Sequence, residues 1–138
     1  MQEIFADTNY WIAIFNESDS LHKKATLVSQ SLASDTFIFT SQLVLGEVIE
    51  HFSARSVFLR KKVLDVIANI EDDPYFAVEP MTPKLFEDTI TFYRRHADKE
   101  WGFVDCSSFV IMKRRSIKDA LTYDHHFVQA GFRALLRD

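Results

Sequence analysis

The chain has 138 residues, of which 47% are hydrophobic and 26% are charged, so it can form one domain with a substantial core. Its 16 Lys and Arg against 20 Asp and Glu give a net charge of −4, which argues against nucleic-acid binding over the whole surface but leaves a local basic patch open. One cysteine excludes an internal disulfide and a multi-cysteine metal site, and the lack of a long apolar run or a signal-peptide pattern predicts a cytoplasmic protein without a membrane segment.

The first third of the chain predicts two strands and a helix between them. Residues 2–6 read as a short buried strand, and residues 9–15 read either as a first helix turn or as a continued apolar segment. Apolar residues recur at helical spacing between residues 19 and 34, which predicts an amphipathic helix. Residues 37–39 then read as a second strand.

The middle of the chain predicts three helices around one strand. Residues 42–52 and 56–70 have helical patterns, and an Asp-Asp-Pro sequence ends the second of them. Residues 75–80 read as a third strand. A Thr-Pro pair is a typical helix start and precedes the helix predicted for residues 85–96.

The last part of the chain begins with a helix over residues 104–115, whose basic last turn suits the helix dipole. Residues 117–123 read as a fourth strand, residues 124–131 as a turn or short helix, and residues 132–136 as a last edge strand. Short strands that alternate with helices indicate a parallel sheet covered on both faces. We therefore expect a single domain over residues 1–138 with a three-layer α/β/α fold and a short central parallel sheet of four to five strands.

Acidic residues stand at positions where such a sheet binds ligands, beyond the carboxyl ends of its strands. Asp7 follows the first strand, Asp124 follows the fourth, and Asp105 lies near a helix N-terminus. Glu47 lies inside a helix, at the margin of its apolar arc.

Each acid taken alone has a structural explanation. Asp7 can cap the following helix, Asp124 can form an Asx turn, and Asp105 can provide favourable charge in a first helical turn. Glu47 can extend its carboxylate to solvent from the edge of its helix.

Taken together, the four acids indicate a metal site. If they converge, their repulsion in a partly desolvated site is large, and a divalent cation relieves it. Oxygen ligands without cysteine favour Mg²⁺ or Mn²⁺ over Zn²⁺. Such a site can activate water and neutralise charge on a phosphodiester.

Four segments of the chain carry a family resemblance when they are taken in order. They are ADTNYWIAIF, TSQLVLGEVIEHF, FVDCSSFVIMKRR and ALTYDHHFVQAGF. Together they resemble the four motifs of the PIN-domain family and, within it, of VapC-type toxins of bacterial toxin–antitoxin pairs. The resemblance covers nearly the whole chain and implies a PIN-like form of the three-layer fold.

The resemblance implies specific residues, cofactors and partners. Asp7, Glu47, Asp105 and Asp124 would form an acidic pocket for Mg²⁺ or Mn²⁺. The implied activity is a metal-dependent endoribonuclease that cleaves single-stranded or structured-loop RNA. The implied partners are a cognate antitoxin, whose tail fills the groove, and a second copy of the chain in a homodimer.

One position departs from the family pattern. Many relatives have Thr or Ser directly before the third acid, whereas this chain has Val104. Either that hydroxyl is missing, or Ser107 or Ser108 replaces it. Asn9 fits the polar position after the first acid, where it would orient Asp7 or a metal-bound water.

An acidic pocket repels RNA unless cations lie nearby. Arg94 and Arg95, close to Lys99 and Trp101, are the most suggestive set, because a basic loop beside an aromatic residue suits single-stranded RNA. The basic residues near positions 55–62 and 113–115 are interpreted chiefly as solvated helix faces. The adjacent histidines that follow Asp124 are interpreted as surface residues rather than ligands.

Three other classes of protein are alternatives to the metal-dependent ribonuclease. A PIN-like module that binds RNA or protein without catalysis stays open. A phosphoacceptor receiver domain would need an acidic neighbour for Asp7 and a Lys after a fifth strand, and the chain has neither. A phosphatase with an Asp nucleophile would need a second Asp where Asn9 stands.

Overall fold

A computed structural model describes all 138 residues and contains a five-stranded parallel sheet. The strands are β1 (Glu3–Ala6), β2 (Phe37–Ser41), β3 (Phe76–Glu79), β4 (Asp119–Leu121) and β5 (Arg133–Ala134). The helices are α1 (Thr8–Phe15), α2 (His22–Ser31), α3 (Gln42–Phe52), α4 (Val57–Asp72), α5 (Pro83–Arg95), α6 (Phe103–Arg115) and α7 (His125–Gln129), with a final 3₁₀ turn at Leu135–Arg137.

The order of the strands in the sheet is β3-β2-β1-β4-β5, and every neighbouring pair is parallel. The chain moves outward from β1 to β3 and then crosses back to β4 and β5. Because parallel crossovers are right-handed, this reversal places α1 to α4 on one face and α5 to α7 on the other. The predicted three-layer α/β/α fold with a central parallel sheet is confirmed.

The core explains why β1 occupies the centre of the sheet. Its last three residues are fully buried, as parallel strands that are covered on both faces require. Large aromatic side chains fill the helix–sheet layers, and the fully buried ones are Phe5, Phe52, Phe109 and Phe127. None of the helices combines the length and the apolar character needed to cross a bilayer.

Several boundaries differ from the predicted ones for local reasons. The segment after Asp7 is a helix rather than an extension of the strand. The next helix begins at His22 instead of residue 19, because the carboxylate of Asp19 accepts a hydrogen bond from the Leu21 amide at 2.9 Å and forms a turn there. The fourth strand ends at Leu121, so Thr122 and Tyr123 lie beyond it.

Candidate metal centre

Asp7 lies at the reversal of strand order, between the carboxyl ends of β1 and β4. Ala6 pairs with Leu121 in the sheet, so Asp7 and Thr122 are the next residues in register. The Asp7 side chain is only 4% exposed, and its Oδ2 accepts a hydrogen bond from Thr122 Oγ1 at 2.9 Å. Its side chain does not cap α1, so the capping interpretation of this residue is wrong.

Thr122 connects Asp7 to the fourth acid. Its Oγ1 donates to Asp7 and accepts from the Asp124 amide at 3.1 Å and from Asn9 Nδ2 at 3.1 Å. The Thr122 hydroxyl therefore uses its one donor and both of its acceptor lone pairs. The sequence analysis missed this residue, because only the pairing of β1 with β4 brings it to Asp7.

Asn9 contacts Asp7 as well as Thr122. Its Nδ2 lies 3.4 Å from Asp7 Oδ2, and its Oδ1 accepts from the Tyr123 amide at 3.1 Å. The side chain therefore ties the start of α1 to the loop that follows β4. This is the location that a residue orienting Asp7 requires.

Asp105 and Asp124 meet on either side of His126. The His126 Nδ1 lies 3.3 Å from Asp105 Oδ2 and 3.4 Å from Asp124 Oδ1. Both acids also have the local roles expected for their positions: Asp105 accepts from the Gly102 amide at 3.3 Å, and Asp124 accepts from the His126 amide at 2.9 Å. A capping role and a place in the cluster therefore coexist in each residue. The sequence analysis did not assign His126 to the site, although its position two residues after Asp124 was a usable signal.

Glu47 approaches the cluster from α3. It accepts a hydrogen bond from Thr8 Oγ1 at 2.6 Å, and Thr8 is the residue directly after Asp7. Glu47 is exposed, in agreement with its predicted place at the edge of the helix, and no hydrogen bond joins it to the other three acids. The structure thus links Asp7, Asp105 and Asp124 through Thr122 and His126, whereas Glu47 is linked to this group only through Thr8.

The two serines considered as replacements for the missing hydroxyl do not contact Asp105. Ser107 Oγ donates to the Val104 carbonyl at 2.6 Å. Ser108 Oγ is buried without a hydrogen-bond partner. The hydroxyl of the site is instead on Thr122, which contacts Asp7 from the opposite strand.

Arg94 and Arg95 form no ion pair or hydrogen bond, and neither contacts the acid cluster. Both are exposed at the end of α5, where Arg94 and Lys99 line one open surface depression. The interpretation of Trp101 as an RNA-stacking residue is wrong. Its ring is buried against Phe109, with centroids 5.1 Å apart, and its indole donates to Gln129 at 3.0 Å.

The electrostatics of the cluster oppose ionisation of all three acids at once. Burial raises the pKa of Asp7 to about 7, and the charges of Asp105 and Asp124 add to this, against the Thr8 amide and the Thr122 hydroxyl. Burial also raises the pKa of Asp105, as does Asp124, while the Gly102 amide and His126 oppose the rise. A cation would remove this repulsion.

The donor set fits a hard divalent cation. All four acids offer carboxylate oxygens, which suit Mg²⁺ and Mn²⁺. The one cysteine, Cys106, is buried in the core, and burial raises the pKa of its thiol to about 11, so it offers no thiolate. Asp7, Asp105, Asp124 and Glu47 are the residues that would hold the ion.

Comparison with known proteins identifies similar chains. The family model described as PIN domain matches residues 4–133. The 23S rRNA-specific endonuclease VapC20 of Mycobacterium tuberculosis is 32% identical over 129 residues, covering 94% of this chain and 95% of the relative. The crystal structure of VapC20, described as a sarcin–ricin loop cleaving toxin, superposes with a TM-score of 0.80 at 31% identity, covering 94% of this chain and 95% of the VapC20 chain. The structure of FitAcB from Neisseria gonorrhoeae shares the fold, with a TM-score of 0.62 at 20% identity and coverage of 95% and 94%.

Proposed function

The chain belongs to the PIN-domain family and, within it, to the VapC-type proteins, and we propose that it is a divalent-metal-dependent endoribonuclease, the toxin of a toxin–antitoxin pair. One observation carries the proposal. At the reversal of strand order, Thr122 links Asp7 to Asp124 and His126 links Asp124 to Asp105, and burial together with the neighbouring acidic charges raises the pKa of Asp7 and Asp105. Open α/β sheets bind their ligands at this point.

A bound Mg²⁺ or Mn²⁺ would supply an activated water and would neutralise charge on the scissile phosphate. The protein's own residues hold and orient the ligands. Thr122 and Asn9 fix the carboxylate of Asp7, while Glu47 completes the donor set from the rim. The buried floor beneath Asp7 excludes bulk water from one side of the site and strengthens each electrostatic interaction there.

The substrate is single-stranded or loop RNA. VapC20, which is more than 30% identical to this chain, is named as a 23S rRNA-specific endonuclease, and its crystal structure is described as that of a sarcin–ricin loop cleaving toxin. Arg94 and Arg95 are free of internal ion pairs and are available to bind phosphate groups, although the whole chain is acidic. Binding through such contacts weakens as salt rises.

The proposed setting is the cytoplasm, where the protein acts as a homodimer. A cognate antitoxin would neutralise the toxin by inserting a tail into the groove at the acids. The resemblance to VapC-type proteins supports the proposal of these partners.

A cleavage assay tests the proposal. Purified protein is incubated with total ribosomal RNA and with synthetic loop oligonucleotides, with Mg²⁺, with Mn²⁺ or with EDTA. We expect cleavage only with metal, and we expect Asp7→Asn to lower the rate by roughly 100-fold or more, because a direct ligand costs at least as much as an outer partner. Asp65→Asn, at an exposed position on α4, is the matched control and should cleave normally.

Cleavage that persists in EDTA, or in the purified Asp7→Asn protein, would contradict the proposal. Metal binding without turnover on any RNA would favour the non-catalytic module instead.

A further inference from the structure

His126 is placed differently from its neighbour His125. Its imidazole is 18% exposed, and its Nδ1 lies between Asp105 Oδ2 and Asp124 Oδ1, at 3.3 and 3.4 Å. His125 is 59% exposed, and its Nδ1 is 3.8 Å from Asp124 Oδ1 alone. Only the first of these histidines faces both acids.

The fold holds His126 in this place. The His126 amide donates a hydrogen bond to Asp124 Oδ1 at 2.9 Å, so Asp124 caps the start of α7 and fixes it. The next residue, Phe127, is fully buried and packs edge-to-face on Phe109, with centroids 4.9 Å apart. The imidazole is therefore anchored from its own backbone and from the adjacent core residue.

The two distances are nearly equal, and both are at the long end of the range for a hydrogen bond. The contact with Asp105 qualifies as a hydrogen bond, but Nδ1 carries at most one proton and cannot donate fully to both carboxylates at once. Two ligands about 2.1 Å from one ion are separated by about 3.0 Å at an octahedral right angle and by about 3.4 Å at a tetrahedral angle. The two separations from His126 Nδ1 lie within this interval, and the ligand atoms of His126 and Asp124 also lie within 4.8 Å of that of His125.

We propose that His126 ligates the cation through Nδ1, which makes the centre a mixed nitrogen–oxygen site instead of a site of oxygen ligands alone. This inference rests on the metal centre of the proposed function but does not require RNA cleavage. Imidazole suits borderline ions such as Co²⁺ and Zn²⁺, whereas Mg²⁺ and, to a lesser degree, Mn²⁺ prefer oxygen. His126 thus favours transition metals over Mg²⁺ beyond the preference that the carboxylates provide.

The first test is a comparison of metal affinities. Calorimetric titrations with Mg²⁺, Mn²⁺ and Co²⁺ are carried out on the metal-free full chain, on His126→Ala and on His125→Ala. We expect His126→Ala to weaken Co²⁺ binding by roughly 10–100-fold and Mn²⁺ binding by less, while Mg²⁺ affinity changes by less than about threefold. His125 offers a ligand atom within 4.8 Å of those of Asp124 and His126, so His125→Ala tests the competing histidine; if His126 is the ligand, this variant should resemble the wild type for all three ions.

The second test detects the nitrogen ligand directly. Pulsed electron paramagnetic resonance of the Mn²⁺-bound protein should show coupling to an imidazole nitrogen, and this coupling should be lost in His126→Ala and kept in His125→Ala. His126→Gln preserves a polar side chain, so it should bind Mg²⁺ normally and lack the nitrogen signal. Thermal unfolding of each variant without metal verifies that it is folded.

Three outcomes would overturn the inference. One is the absence of nitrogen coupling in the wild type. Another is equal weakening of Mg²⁺ and Co²⁺ binding in His126→Ala, which would assign the imidazole a purely positioning role. The third is loss of the signal in His125→Ala instead. If neither the wild type nor any variant binds any of these ions, the metal centre of the proposed function is wrong as well. If the protein cleaves RNA with Mg²⁺ but shows no nitrogen ligand, only the inference about His126 is wrong.

Discussion

At the scale of single residues, Asp7 is the most costly group in the chain. It is a carboxylate in the sheet core, with 4% exposure, and no Lys or Arg pairs with it. Its hydrogen bonds to Thr122 and Asn9 satisfy one oxygen but do not remove the cost of burying a charge. Stability and function therefore oppose each other at this position, as is common where activity needs a strained or desolvated group.

The burial of Asp7 predicts a pH dependence of stability in the metal-free protein. Its pKa rises from 3.8 in the unfolded chain to about 7 in the folded one, so the folded state holds this proton more tightly. The stabilisation is complete below about pH 4 and is lost as the pH rises through about 7. At 1.36 kcal/mol per unit, the loss is about 4 kcal/mol at most.

Asp7→Asn should escape this loss, because an amide stays neutral. We expect its free energy of unfolding at pH 8, measured with urea in EDTA, to exceed that of the wild type by roughly 2–4 kcal/mol. The difference should shrink toward pH 4, and Mg²⁺ should stabilise the wild type more than the variant. An Asp7→Asn protein that is less stable than the wild type at pH 8 would contradict the assigned cost.

At the scale of secondary-structure elements, the site depends on the pairing of β1 with β4. The two strands are 115 residues apart in sequence where Asp7 meets Thr122. The register of Ala6 with Leu121 fixes which residues follow each strand at the edge. A slip of one residue would place Tyr123 where Thr122 now donates to Asp7.

Thr122→Val tests this connection with nearly unchanged side-chain shape. The substitution leaves the Asp124 amide and the Asn9 amide without their shared acceptor, which should lower the free energy of unfolding by roughly 1–3 kcal/mol. Loss of an outer partner should also reduce RNA cleavage by about 10–100-fold. Thr122→Ser retains the hydroxyl and should keep most of the activity in the same assay. Equal activity of the Val and Ser variants would show that the hydroxyl has no part in positioning Asp7.

The same pairing explains what the sequence could predict. Short apolar segments and capping residues are local signals. The sequence alone therefore predicts the parallel sheet and most of the helices, and it also identifies the four acidic residues. Thr122 reaches Asp7 only through the pairing of β1 with β4, and no local pattern marks it, whereas the position of His126 two residues after Asp124 is a local signal. The prediction that Trp101 is exposed was wrong, because its burial depends on the packing of α5 and α6, which the basic character of the loop does not indicate.

At the scale of the whole molecule, an acidic protein must bind an acidic polymer. The net charge of −4 repels RNA over the surface as a whole, so binding must rely on local features. The exposed end of α5 provides unpaired arginines, and a cation at the acids would reverse the local charge. The function therefore depends on whether the three converging acids bind a metal ion.

The most direct test of that claim is a crystal structure of the protein soaked in Mn²⁺, with anomalous diffraction used to locate the ion. We expect one strong anomalous peak at the carboxyl ends of β1 and β4. Carboxylate oxygens of Asp7, Asp105 and Asp124 should lie about 2.1–2.3 Å from it, with His126 Nδ1 at a similar distance. Mn²⁺ bound only elsewhere, with these carboxylates unliganded, would contradict the account.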